Sequence, residues 1–351
     1  MKLPHHIAGV SLALALAACS GTQTGSTATV VPSIVAPQTA SVTGAATPSV
    51  KSGQQIAGAH KAVAALILVA NNPTGQLGTI SEYAETATGN VAPSSVVANH
   101  NPGPRAIAFS ASNNRFGIAN GNLDNSGLPG AETFSLAAGD IVTEISCFPK
   151  SSQTNGIAFD SKGHVYVSAF LQGGRGIEVF APGANNCVKK PKRTISDEGG
   201  LAIDSNNLLY VANSTTATID IFPSGSATME AQIGGSNTGL VAPGTVAVDA
   251  SRNVYVFDNT TATISEFAAG VTGNVAPIRT IAGSKTGLTI GDGFNCAVAV
   301  SKNTGNIFVS NPNSNAVLVF AATASGDVAP IQTIAGGATQ ISNPLGITVT
   351  E

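Results

Sequence analysis

One unit recurs along most of this 351-residue chain, and it limits the possible folds more than any other feature. It consists of a short apolar run, a polar turn, a second apolar run, a loop, a third run ending on a large side chain, and a fourth run. From residue 156 to 196 it reads GIAFDSKGHVYVSA, GIEVFAPG and KRTIS. It returns as GLAIDSNNLLYVAN, TIDIFPSG and EAQIGG, then as TVAVDASRNVYVFDN, TISEFAAG and PIRTIAG, and again as AVAVSKNTGNIFVSN, AVLVFAATA and PIQTIAGG. A degenerate copy, AIAFSASNNRFGIAN with TFSLAAGD and IVTEIS, stands upstream. The segments TISEYAETATGNVAP (79–93) and TISEFAAGVTGNVAP (263–277) are nearly identical, although they lie far apart in the chain.

A period of about 45 residues with four strands per unit is the signature of propeller blades. The large residue of the third strand counts them: Tyr83, Leu136, Phe180, Phe222, Phe267 and Phe320. Those are six marks for five complete units. The missing pieces lie at the two ends of the repeat. AALILVAN (64–71) matches a second strand whose first strand is absent, and LGITVTE (345–351) matches a first strand with no second. Together they make a sixth blade, so the expected fold is all-β: a six-bladed β-propeller of four-stranded antiparallel blades over residues 62–351, with the C-terminal strand closing the first blade. Such closure removes sheet edges that would otherwise recruit other chains.

The pattern Gly-Ile/Leu-Ala-Val-Asp, a short polar turn, Val-Tyr-Val-Ala-Asn/Asp, then Ile-x-Val-Phe resembles the NHL repeats of six-bladed propellers. The resemblance implies the fold over residues 62–351 and leaves the activity open, because that fold carries scaffolds, ligand binders, lactonases and lyases.

The chain begins differently. Lys2, the short apolar run IAGVSLALALAA and LAAC at 16–19 read as a secretory signal over 1–18, too short for a permanent span. The ending resembles a bacterial lipobox, which implies lipidation at Cys19. The protein would then be anchored in the cell envelope on the extracytoplasmic side, with Ser20 favouring the outer membrane. Residues 19–61 are rich in Ser, Thr, Ala and Pro with few large side chains, and form the expected flexible tether. Charge excludes one partner class: a net −3, with 10% charged residues, is not the footprint of a nucleic-acid binder. A monomer is expected. Of the other cysteines, Cys147 and Cys187 are the pair placed to bridge if a disulfide forms, and Cys296 is left over.

Several polar positions repeat. Ser110, Asp160, Asp204, Asp249, Ser301 and Thr350 end the first strands and read as turn formers. Asn71, Asn120, Ala169, Asn213, Asp258 and Asn311 end the second strands on one face of the ring, where Arg105, Asn155, Glu198, Asp292 and Asn295 also emerge. Asn71, Asn120, Asn213, Asp258, Asn311 and Arg105 are the candidate ligand-binding set for an unidentified protein or small molecule, and strand termination and loop capping are the competing reading. Metal-dependent lactonases of similar architecture hold a cation in the central channel. The matching materials here are Glu198, Asn213 and Asp258, whose oxygens suit Ca²⁺. Otherwise no cofactor is expected. His60, His100 and His164 are too scattered for a three-histidine zinc site, and no nucleophile elbow or phosphate loop occurs. KKPKR (189–193) is the one dense charge cluster. It reads as a solvated edge, with contact to anionic headgroups as the alternative. The expectation is a non-catalytic binding or scaffold module, with a lactonase-like hydrolase as the alternative.

Overall fold

The apolar runs of the repeat are antiparallel strands in a computed structural model that describes residues 65–74, 76–98, 103–121, 130–137, 140–148, 154–171, 174–183, 190–290 and 296–351. All of these fall within the unit Ala59–Glu351. Cys19, the signal and the tether lie outside the described residues, as do His60, His100, Cys187, Lys189, Asp292 and Asn295.

Blade 1 contains β1 (Leu66–Asn71), β2 (Thr79–Ala84) and β3 (Ser95–Ala98). Blade 2 contains β4 (Pro104–Ser110), β5 (Arg115–Asn120), β6 (Ala131–Ala137) and β7 (Asp140–Phe148). Blade 3 contains β8 (Thr154–Phe159), β9 (Val165–Leu171), β10 (Gly174–Phe180) and β11 (Arg193–Ile195). Blade 4 is β12 (Gly200–Ile203), β13 (Leu209–Asn213), β14 (Thr218–Phe222) and β15 (Ala231–Gly234). Blade 5 is β16 (Pro243–Val248), β17 (Val254–Asp258), β18 (Thr263–Phe267) and β19 (Arg279–Ile281). Blade 6 is β20 (Val298–Val300), β21 (Ile307–Asn311), β22 (Ala316–Phe320) and β23 (Gln332–Ala335).

The inner place of blade 1 is taken by β24 (Pro344–Val349), which gives the sheet order β24-β1-β2-β3. Its register sets Ile67 against Val349, Val69 against Ile347 and Ala70 against Gly346. Thr350 fastens the end: its N–H donates to Leu66 O at 2.9 Å and its Oγ1 accepts from Leu66 N at 2.9 Å. The closure expected from the two incomplete ends is therefore present. Around the axis the six inner strands β4, β8, β12, β16, β20 and β24 contact one another in sequence and return to the start. Close approach needs small residues here. A Cβ on Gly200 would fall 2.6 Å from Gly244 O of the next inner strand.

The core lies between blades. Six apolar clusters occupy the six blade junctions, for example Leu68, Ile80, Phe116, Ile118 and Phe134 between blades 1 and 2. Tyr210, Ile219, Val256 and Phe267 fill the junction of blades 4 and 5. Each sheet buries both faces against its neighbours, so the strands are apolar on both sides. Five of the six third-strand marks stand where expected, opposite the start of the second strand: Tyr83 on Ile67, Phe180 on Val165, Phe222 on Leu209, Phe267 on Val254 and Phe320 on Ile307. Blade 2 differs. There the position belongs to Phe134, paired and stacked with Phe116 at 5.1 Å, while Leu136 lies two residues further on. β6 runs on to Ala137, whereas β10, β14, β18 and β22 end on their marks, so alignment by spacing alone slides by two residues.

The duplicated TGNVAP segment has a structural role. Gly89, Gly273 and its counterpart Gly326 each bridge to the outer strand of the preceding blade, at Ile334, Ile233 and Ile281. Gly273 donates to Gln232 O at 2.7 Å and accepts from Gly234 N at 3.0 Å. The next residue completes the clasp. Asn90, Asn274 and Asp327 accept through Oδ1 from Ala338 N (2.8 Å), Asn237 N (2.7 Å) and Lys285 N (2.7 Å). These donors sit in 3-10 turns preceded by Gly336, Gly235 and Gly283, at φ 118°, 118° and 121°. A Cβ there would meet the clasping Asn or Asp at 2.4–2.6 Å. Glycine is needed both for the backbone angle and for the space.

Candidate functional site

The upper face, where second strands end, carries most of the sequence candidates. The repeat puts a polar residue at the end of β1, β5, β13, β17 and β21, and the third strand of the same blade supplies its partner in three of them. Asn71 Nδ2 donates to Ser81 Oγ at 3.0 Å, Asn120 Nδ2 to Glu132 Oε2 at 3.2 Å, and Asn213 Nδ2 to Asp220 Oδ2 at 3.2 Å. Asn71 also accepts from Ser342 N at 3.2 Å, which ties it to the loop leading into the strand that closes the ring. Asn311 donates to Gly287 O at 2.8 Å and accepts from Thr289 Oγ1. Asp258 receives four backbone N–H groups, from Val241, Ala242, Thr260 and Thr261, at 2.7–3.1 Å. Asn71, Asn120, Asp258 and Asn311 are all buried. Their polar atoms hold loops in place.

Arg105 sits at the channel and donates from Nη1 to Asn155 Oδ1 at 2.9 Å. Burial pushes its guanidinium below the usual pKa. The channel is lined by Ile107, Ile157, Leu201, Val246, Val298 and Ile347, beside Arg105, Asn155 and Thr245, around a cavity of about 50 Å³. That holds a few waters.

Of the proposed metal trio, the structure places Glu198 and Asn213 near each other and Asp258 apart. Glu198 Oε1 accepts from Arg175 Nη1 and, at 3.4 Å, from Thr215 Oγ1, whose backbone N–H donates to Asn213 Oδ1 at 3.0 Å. Asp258 serves the loops of blade 5. Among the described residues no group of three His, Cys, Asp or Glu side chains is placed to hold a metal ion.

Sequence reasoning missed the neighbouring acid. Asp197, one position before Glu198, accepts from Asn213 Nδ2 at 2.9 Å and from Glu198 N at 2.7 Å. Burial, then the facing Asp220, push its carboxyl up to about 7. Asp220 is also held by Thr218 Oγ1 at 2.8 Å. The available signal was an Asp in the middle of TIDIF, an apolar strand, on the same blade as an unusually acidic inner loop.

On the lower face the turn reading holds. Asp160 Oδ1 accepts from Lys162 N (3.0 Å) and His164 N (2.8 Å), Asp204 Oδ1 from Asn206 N (2.9 Å) and Leu208 N (2.8 Å), and Asp249 Oδ1 from Asn253 N (2.7 Å). Tyr166, Tyr210 and Tyr255 donate their hydroxyls to the second oxygen of the same acids, each at 3.4 Å. Ser301 Oγ accepts from Thr304 N at 3.0 Å. His164 pairs through Nδ1 with Asp160 Oδ2 at 2.8 Å. Cys296 is a free, buried thiol that burial pushes up to about 12. Cys147 lies on β7, and its proposed partner Cys187 is outside the described residues.

Compared by sequence, the chain matches no family model and no curated protein. Compared by structure, it resembles the propeller in a nidogen/laminin complex, at TM-score 0.58 and 15% identity over 82% of this chain and 98% of that one. It also resembles a periplasmic gluconolactonase from Pseudomonas aeruginosa, at TM-score 0.56 and 12% identity over 82% and 99%. A putative 6-phosphogluconolactonase from Bacteroides fragilis follows at 0.51 and 11% over 82% and 98%. At such identities the likeness speaks for the fold alone. Strand order, ring closure and these neighbours agree that the chain is a six-bladed β-propeller.

Proposed function

We propose that the protein is an extracytoplasmic binding or scaffold module, held to a bacterial envelope by a lipid on Cys19, that presents a rigid ring to a protein or small-molecule partner and does no chemistry of its own. The observation that carries this reading is the use of the upper-face side chains. Asn71, Asp258 and Asn311 spend their polar atoms on their own loops, so they stiffen a platform. A tether of about forty residues would reach on the order of 35 Å from the membrane.

Two measurements test it. Mass spectrometry of the purified full chain should find acyl groups on Cys19, and Cys19→Ser should release the protein from the membrane fraction; a soluble wild type overturns the anchor. Pull-down with the exposed upper loops altered at Thr215 and Asn313 should lose partners that the wild type retains.

The second reading is a lactonase-like hydrolase, favoured by the buried Asp197–Asp220 pair on the upper face and by two lactonase neighbours. Lactone hydrolysis with a stoichiometric divalent ion, both lost in Asp220→Asn, would replace the first reading.

A further inference from the structure

The lower face holds a pocket that the repeat does not account for. It opens between blades 3 and 4, with a volume of about 130 Å³, roughly ten times what one water needs. Arg193, Lys192 and Lys162 line it, all on blade 3, with Ser224 and Gly225 contributed by blade 4. Arg193 and Lys192 come from the KKPKR cluster. The one carboxylate in the lining, Asp160, is already engaged by His164, Tyr166 and two backbone N–H groups. Three basic side chains therefore face a single acid that is in use.

An internal comparison shows what is missing. β11 and β19 share the sequence Arg-Thr-Ile, so Arg193 and Arg279 occupy the same place in their blades. In blade 5, Arg279 lies opposite Glu266 and forms an ion pair with it, while its Nη1 donates to Ala322 O at 2.6 Å. In blade 3, the residue opposite Arg193 is Val179, which lines the pocket. The arginine is kept and its acid is gone. Among the described residues Arg193 Nη2 reaches only Tyr166 Oη, at 3.4 Å, and the guanidinium carbon stands 5.9 Å from the Tyr166 ring centre. Its Nε is buried with no hydrogen-bond partner among the described residues. Lys192 replaces the exposed isoleucines of blades 5 and 6, Ile278 and Ile331, and Lys162 stands where blades 4 and 5 have Asn206 and Ser251. Each departure from the repeat adds a cation to one cavity or removes an anion from it. A half-buried guanidinium without a counter-charge is costly, and an oxyanion meeting its fork offsets that cost with charge-assisted hydrogen bonds.

We propose that this pocket binds a small oxyanion, a phosphate or the phosphate end of a larger molecule, which takes the place that Glu266 fills beside Arg279. The site is on the opposite face from the upper-face candidates and stands independently of the function proposed above.

The test is calorimetric titration of the full chain with inorganic phosphate at low ionic strength, together with flotation on vesicles of neutral lipid with or without phosphatidic acid. Saturable one-site phosphate binding that weakens with added salt is expected. Val179→Glu, which rebuilds the blade 5 pair, should weaken it at least tenfold, and Arg193→Met should do the same by removing the fork. Lys192→Ile should weaken it about threefold. Without phosphate Arg193→Met should melt no lower than the wild type; Val179→Glu replaces a buried valine, and if it fails to fold, Arg193→Met alone decides. Phosphate binding without vesicle capture assigns a free anion, and capture that phosphate displaces assigns a lipid headgroup; either supports the pocket. Absence of saturable phosphate binding, or equal affinity in wild type and Arg193→Met, overturns it.

Discussion

Half of the ring is clasped and, among the described residues, half is not. At the junctions of blades 4 and 5, 5 and 6, and 6 and 1, a glycine bridge and an Asn or Asp side chain fasten one blade to its neighbour. At the other three junctions the apolar clusters are present without that clasp. The clasp is therefore an addition to the apolar packing that all six junctions share. The difference shows where the chain has room to vary. The clasped half keeps its Glu266–Arg279 pair closed, while the unclasped side carries the open Arg193 pocket and the Asp197–Asp220 pair.

The strongest way to break the comparison is to remove what both halves share. Deleting residues 345–351 takes away β24 and exposes the inner edge of β1. Burying a large apolar side chain contributes about 1.5–3 kcal/mol, and Leu345, Ile347 and Val349 are all buried. The loss therefore approaches the whole stability of a domain, about 5–15 kcal/mol. Cooperative unfolding by circular dichroism should disappear, where trimming an ordinary chain end would shift it slightly.

Next comes the acid pair. Folding raises Asp197 from 3.8 to about 7, so the folded protein holds this proton more tightly than the unfolded chain. The stabilisation is full below about pH 4 and is lost as pH rises through 7. Urea midpoints should fall between pH 5 and pH 8, and Asp197→Asn should flatten that trend.

Smaller effects separate the halves directly. Gly283→Ala forces a side chain into φ 121° and into Asp327, and should cost about 1–3 kcal/mol or more in denaturant titrations. Gly174→Ala, at φ 137° on the unclasped side with open space around it, carries only the backbone part and should cost less. Asp327→Ala removes one clasping acceptor and should cost about 1 kcal/mol. Equal costs for Gly283→Ala and Gly174→Ala would mean the clasp contributes nothing.

Much of this was legible before any coordinates, because a repeat reports its own periodicity. The blade count, the composite blade and the Asp160, Asp204 and Asp249 turns all follow from copies that share spacing. Legibility ended where spacing slipped or where two distant positions had to be read together. Phe134 was hidden because β6 runs on past it to Ala137. Asp197 and Asp220 are separated in sequence and meet because the loop before β12 and the strand β14 both reach Asn213. The Arg193 pocket depends on which residue lies across from a given arginine, and Val179 looks unremarkable until Glu266 is seen in its place. Asn71 and Asn311 were visible as a pattern, yet whether an amide faces solvent or its own loop is decided by packing.

The pairing of β24 with β1 also sets a timetable for folding. A ribosome delivers β1 early and β24 last, so every partial chain carries an unsatisfied strand edge that later blades cannot cover. The ring can lock only after synthesis has passed Val349, so closure is a late event however early the first blades form.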